Sequence, residues 1–309
     1  MDLRIFTEPH MGARYGDILR VARAAEDGGY DGFFRSDHYL RFGGGDPLPG
    51  PTDAWTTLAG LARDTSRVQL GTLVSPVTFR EPAVLALQVA QVDAMSDGRV
   101  ALGLGSGWFE PEHQAFGLPF PPVTERYDRL EEQLEIVTGL WDLPYGQRFS
   151  YSGKHYSIED NPGLPKPARG RVPLILGGAG RQRGAALAAR FADEFNAGFS
   201  PPQEIGTRFE RVRAACREQG RDPGGLIFSV ALTTVCGEDD RQVAARAAAA
   251  GQDVDRLRTN GLAGTPDEIV DRIGAYAGVG ATRVYLQIWD LDDLDMIELI
   301  AQRVMPQLP

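Results

Sequence analysis

Apolar residues in this chain gather in eight short runs, each bounded by turn-forming residues. They are Leu3–Thr7, Gly32–Arg35, Val68–Val74, Val100–Leu104, Val172–Leu176, Glu194–Ala197, Ile227–Val235 and Arg283–Ile288. Their lengths suit strands. Several are almost continuously apolar, as parallel strands covered by helices are. Between them the apolar spacing becomes helical. Tyr127, Leu130, Leu134, Val137 and Trp141 share one face, behind Thr124 as the candidate N-cap. Pro82 opens a helix that runs to Ser96, with Gly98 as its stop. Ala244–Ala250 favours helix by composition. Strands alternating with helices in this way predict an α/β chain folded as a closed (β/α)8 TIM barrel, with residues 1–309 in one domain.

Two stretches interrupt the rhythm. Residues 40–52 hold Gly43-Gly44-Gly45 with Pro47, Pro49 and Pro51. Residues 144–171 hold Tyr145, Phe149, Tyr151 and Tyr156. Irregular segments of that length are more often covers or binding loops than surface decoration. The first follows the second strand directly, which puts it over the barrel mouth.

With 309 residues, 42% hydrophobic and 24% charged, the chain can bury the core of a barrel with insertions. A net charge of −10 argues against a nucleic-acid partner, yet it allows an anionic ligand on glycine-rich backbone. Cys216 and Cys236 are expected as reduced, buried thiols. No signal-peptide pattern precedes the first strand and no apolar stretch reaches the length of a membrane span. A cytoplasmic protein without a membrane partner is expected.

In such a barrel, chemistry sits at the C-terminal ends of the strands. Ser36-Asp37-His38 ends the second one. His38 reads either as a structural hydrogen-bonding residue or as a proton-transfer group, and its strand-end place favours the second. Asp37 either orients a loop or accepts from a ligand. Neighbours in a strand face opposite ways, so Asp37 and His38 are no dyad by spacing alone. Gly103-Leu104-Gly105-Ser106-Gly107 ends the fourth strand, as a tight turn or as backbone against which a flat ring lies. Leu176-Gly177-Gly178-Ala179-Gly180 ends the fifth, and Arg181 leads into a helix. That pattern favours phosphate on backbone amides, with Arg181 and Arg183 adding charge. Trp108, Phe109 and Phe116 either stack on a ring or pack. The four histidines lack metal-ligand spacing.

These motifs together resemble the luciferase-like superfamily of flavin- and deazaflavin-dependent enzymes, over essentially the whole chain. The carrying residues are Ser36–His38, Thr65–Thr72, Gly105–Trp108 with Glu112-His113, Leu176–Gly180 and Ala192–Asn196. The branch most similar is the actinobacterial one that uses coenzyme F420. The resemblance implies a (β/α)8 barrel in which His38 lies against the deazaflavin and handles a proton. It implies a bulge with a non-proline cis peptide at Leu73-Val74 supporting the ring. It places the cofactor phosphate at Gly178 and its neighbours, with Gly105, Ser106 and Gly107 bordering the pocket. Trp108, Phe109 and Glu112 are then the candidate substrate-facing residues, and Asp37 and Arg181 join the cofactor set. Sugar-phosphate dehydrogenases of the superfamily carry a glutamate where this chain has Trp108 and a tryptophan where it has Phe42, which argues against glucose-6-phosphate oxidation. The reading is an F420-dependent oxidoreductase acting on a small organic substrate, as a reductase, and assembled as a homodimer. An FMN-dependent monooxygenase is the rival enzyme, and a non-catalytic flavin-binding protein the third alternative.

Overall fold

The computed structural model describes residues 1–46 and 48–308; Pro47 of the first insertion lies outside them. Eight parallel strands close a barrel: Asp2–Thr7, Gly32–Arg35, Gln69–Thr72, Val100–Gly105, Leu174–Gly177, Glu194–Gly198, Ile227–Cys236 and Arg283–Ile288. They neighbour one another in chain order, and the eighth returns to pair with the first. Helices of 10 to 20 residues, from Tyr15–Asp27 to Leu294–Arg303, cover the outside.

Two of the expected strands are shorter than their apolar runs. The third stops at Thr72, because the chain leaves the sheet at a cis peptide between Leu73 and Val74. It then pairs again with the fourth strand through Ser75–Pro76. The fifth begins at Leu174, after Pro173, which has no N–H to give to a ladder. Thr124 is not an N-cap. The helix Val123–Asp142 starts one residue earlier, with Pro122 at the cap and no side-chain cap bond.

The period of two along each strand decides what the barrel encloses. Leu3, Ile5, Phe33, Leu102, Leu176, Phe195, Val230 and Leu286 point outward into the layer shared with the helices. Their alternates point inward and stack in layers. At the N-terminal end Arg4, Asp2, Arg283 and Glu194 form ion pairs. Above them lies an apolar layer of Phe6, Phe34, Leu73, Ala101, Ile175, Ala231 and Tyr285. The next inward positions, Glu8, Ser36, His38, Gly177, Thr233 and Gln287, line a cavity at the C-terminal mouth.

The second insertion is not a cover. It folds as an antiparallel pair, Phe149–Ser152 with Ser157–Asn161, against the helix Val123–Asp142. The Tyr151 hydroxyl donates to Glu135, and the Glu132 carboxylate accepts from the backbone of Lys154, His155 and Tyr156. Among the described residues, none from 144–171 lines the mouth cavity. Cys216 and Cys236 are free and buried, and no described helix is long and apolar enough to cross a membrane.

Candidate active site

The mouth holds a cavity of about 890 Å³. On its wall His38 keeps 12% of its side chain exposed, and its Nδ1 lies 2.9 Å from Oε1 of Glu112. Glu112 is 1% exposed, and its second oxygen accepts from the Tyr39 backbone N–H at 2.9 Å. A carboxylate only accepts, so Nδ1 carries the hydrogen and Nε2 is left to deal with the cavity. Phe42 and Trp108 hold the ring by its edges at 4.8 and 5.6 Å between centroids. Glu112, expected to face the substrate, does not line the cavity. It lies behind His38, where it sets the tautomer and would stabilise an imidazolium.

Asp37 points the other way from His38, out of the cavity. It is fully buried, accepts from Ser75 Oγ at 2.6 Å and pairs with Arg80 at 2.5 Å. Arg80 continues to Asp53, the N-cap of the helix Ala54–Asp64. Asp37 thus ties the second and third strand ends to that helix and does not line the cavity. Arg35, also outward, binds Thr52 and Thr57 and so fixes the far end of the first insertion.

Leu73 and Val74 line the cavity, as do Gly105, Ser106, Gly107 and Trp108. The glycines of strand four are there to clear the bulge. A Cβ on Gly103 would meet the Thr72 carbonyl oxygen at 2.1 Å, and one on Gly105 would meet Val74 at 2.8 Å. Phe109 stands behind, 5.0 Å from Phe42 between centroids. After strand five, Gly177, Gly178 and Ala179 line the cavity and are exposed. Gly180 is buried and Leu176 faces the helices, and neither lines the cavity. Arg181 is the exposed N-cap residue of the helix Gln182–Phe191, and Arg183 is held by Asp128 at 2.7 Å. A Cβ on Gly178, at φ +143°, meets nothing within 4 Å. Gly178→Val should therefore keep the barrel folded, at a local strain of roughly 1–3 kcal/mol. It should weaken an anionic cofactor about tenfold or more by filling the approach to the turn. Calorimetric titration beside thermal unfolding checks both.

The cavity is also lined by residues outside the motifs. Glu8, Thr233 and Gln287 are inward strand-end positions that alternation alone would have found. Gln252, Arg256, Leu257 and Asn260 belong to a segment with a short helix, Val254–Asn260, that sits over the mouth after strand seven. From the first insertion Phe42 reaches the cavity, while Gly43, Gly44 and Gly45 all have positive φ and are exposed. Amides of this glycine run should exchange quickly in the free protein and slow when cofactor and substrate are bound. Equal, strong protection in both states would rule out a cover.

Residues 1–254 match the model of the luciferase-like monooxygenase family. The chain belongs to that family. Among luciferase-like relatives, an F420-dependent glucose-6-phosphate dehydrogenase of Beutenbergia cavernae is 31% identical, over 94% of this chain and 93% of its own. A pyrimidine monooxygenase of Cronobacter sakazakii is 30% identical over 63% of this chain and 56% of its own. The chain spans about half the length of the first curated relatives it matches, 51% to 60%. An F420-dependent secondary alcohol dehydrogenase, solved with an F420-acetone adduct, shares the fold with a TM-score of 0.87 at 21% identity, covering 100% of this chain and 99% of that one.

Proposed function

We propose that this luciferase-like protein is a coenzyme F420-dependent oxidoreductase that transfers a hydride between the deazaflavin and a small organic substrate, working as a reductase. The observation that carries the reading is the His38–Glu112 pair, set among Phe42 and Trp108 at the barrel mouth. The nearly full-length similarity to an F420-dependent dehydrogenase supports the cofactor.

The cavity fits such a group. The open space at Gly178 is a cradle that a Cβ would fill, and amides at the start of the helix Gln182–Phe191 suit a phosphate. Arg208 and Arg256 also line the cavity and suit an anionic tail in a chain of net charge −10. Leu73, Val74 and Gly105–Gly107 would lie along a ring. When bound, the deazaflavin supplies the hydride chemistry. The protein's part is to hold and orient both molecules, to exclude water with its aromatic wall, and to deliver a proton from His38 Nε2 while Glu112 stabilises the charged imidazole. Phe6, Phe42, Leu73 and Trp108 line an apolar space, which favours an apolar substrate with a polar double bond over a sugar phosphate.

The family match and the pyrimidine monooxygenase relative favour one alternative, an oxygen-using enzyme with reduced FMN. The two part on a single assay. Reduced F420 should be oxidised anaerobically by one or more of a panel of enones, imines and ketones. Substrate-dependent oxygen uptake with reduced FMN, and no anaerobic reaction with F420, would move the protein to the monooxygenase reading. Val84 and Leu87, 52% and 45% exposed on the helix Pro82–Met95, support the homodimer, which sedimentation would test. The free buried thiols fit a cytoplasmic location.

A further inference from the structure

Glu8 stands where two cavities meet. With Trp289 it lines both the mouth cavity and a second pocket of about 200 Å³. That side pocket is walled by Met11, Gly12, Ala13 and the carboxylates Asp17, Asp290 and Asp292, of which Asp292 is 87% exposed. The Glu8 side chain itself is 8% exposed.

The hydrogen bonds around it fix which oxygen does what. Trp289 Nε1 can only donate, and it lies 2.9 Å from Oε1 of Gln287, so that atom is the amide oxygen. Thr233 Oγ1 donates to the same oxygen. The Gln287 amide nitrogen therefore faces Glu8 and donates to Glu8 Oε1 at 2.6 Å. Oε1 is committed as an acceptor, so a proton on this carboxyl belongs on Oε2. That atom is buried and has no hydrogen-bond partner among the described residues; the nearest ring nitrogen, His10 Nδ1, is 3.5 Å away. His10 Nδ1 in turn lies 3.1 Å from Ser36 Oγ, which lines the mouth cavity.

We infer that Glu8 is a proton relay between the mouth cavity and the solvent-side pocket, with Oε2 as the atom that carries the proton. The inference rests on the hydride-transfer reading above. A hydride that adds to a polar double bond leaves an anion. The O–H bond at Glu8 breaks as its proton passes toward that anion, directly or by way of Ser36 and His38. An O–H, N–H or C–H bond forms there, and the carboxylate regains its proton from water in the side pocket. Glu8 changes charge and not oxidation state. Such a route matters because a filled mouth cavity shuts His38 off from bulk water.

The surroundings favour a proton on this carboxyl. Burial is the largest cause and raises its pKa from the ordinary glutamate value, against the opposing pull of Ser36, His38, Gln287 and Arg35. His10, on the same strand end, is pushed down to about 2 by burial and by the positive charges of His38, Arg35 and Arg41, so it faces Glu8 uncharged.

Infrared difference spectroscopy tests this without turnover. The protein alone at neutral pH should show a protonated-carboxyl C=O band that Glu8→Gln removes. With the cavity filled by whichever of F420 and FMN binds, transfer to heavy water should still shift the band. Ala13→Leu, which fills the side pocket, should slow that shift by about tenfold or more. Ala13→Val is the gentler filling if leucine impairs folding, and it should slow the shift in the same direction. Absence of the band, or an exchange rate unchanged by filling the pocket, overturns the relay. Failure of F420 to bind would strike the cofactor reading alone, since the band is read on the protein by itself.

Discussion

His38→Ala lowers turnover by roughly 100- to 10,000-fold and leaves cofactor affinity nearly unchanged. The imidazole is one edge of the cavity wall, whereas the cofactor is proposed to rest on the Leu73–Val74 bulge and the glycine turns, none of which the substitution touches. Loss of Nε2 removes the proton donor; loss of the ring also leaves the buried Glu112 carboxylate facing a void, where it keeps only the Tyr39 N–H. That second effect predicts some loss of stability, so folding and binding are measured beside rate. His38→Gln separates the two, because it fills the space but cannot shuttle a proton in the same way. The measurements are steady-state rates with a verified substrate and fluorescence titration with F420. A mutant that binds normally and turns over at the wild-type rate would place the chemistry on solvent or on another group.

Gly103→Ala should cost about 3 kcal/mol or more of stability, or prevent folding outright. The added Cβ falls 2.1 Å from the Thr72 carbonyl oxygen and 2.9 Å from the Val74 side chain. Neither neighbour has room to retreat: Thr72 is fully buried, and its hydroxyl donates to the Gly103 carbonyl at 3.0 Å. Relief would require the third and fourth strands to part, and the bulge on the cavity wall would move with them. A denaturant midpoint within a few tenths molar of the wild type would show that the strands can shift freely there. The matched control is Gly225→Ala, where nothing lies within 4 Å and φ is not positive; it should leave stability within about 0.5 kcal/mol.

The barrel is legible because strands covered on both faces are mostly apolar and stand out as runs; the sixth, with Glu194 and Asn196 inward, is the weakest. What the runs hide is where a strand leaves the sheet. Val68–Val74 carries no proline or turn dipeptide, yet the ladder ends at Thr72. The alternation along each strand also marks cavity residues. Counting inward positions past the end of the first run, from Arg4 through Phe6, reaches Glu8; counting along the fifth sends Leu176 outward although it adjoins the glycines. His38 and Glu112 are 74 residues apart, and no pattern within one sequence joins them. The cover at residues 252–260 was silent for a different reason. Its contacts run to the barrel mouth through Leu257 and polar side chains, so it lacks the apolar stripe by which a helix is found.

The cofactor decides which chemistry the cavity performs. Purified protein titrated in parallel with F420 and with FMN, by calorimetry or by quenching of cofactor fluorescence, should bind the deazaflavin more tightly. Gly178→Val should weaken that binding and leave the fold intact. Micromolar binding of FMN with none of F420 would contradict the account and assign the cavity to oxygen chemistry.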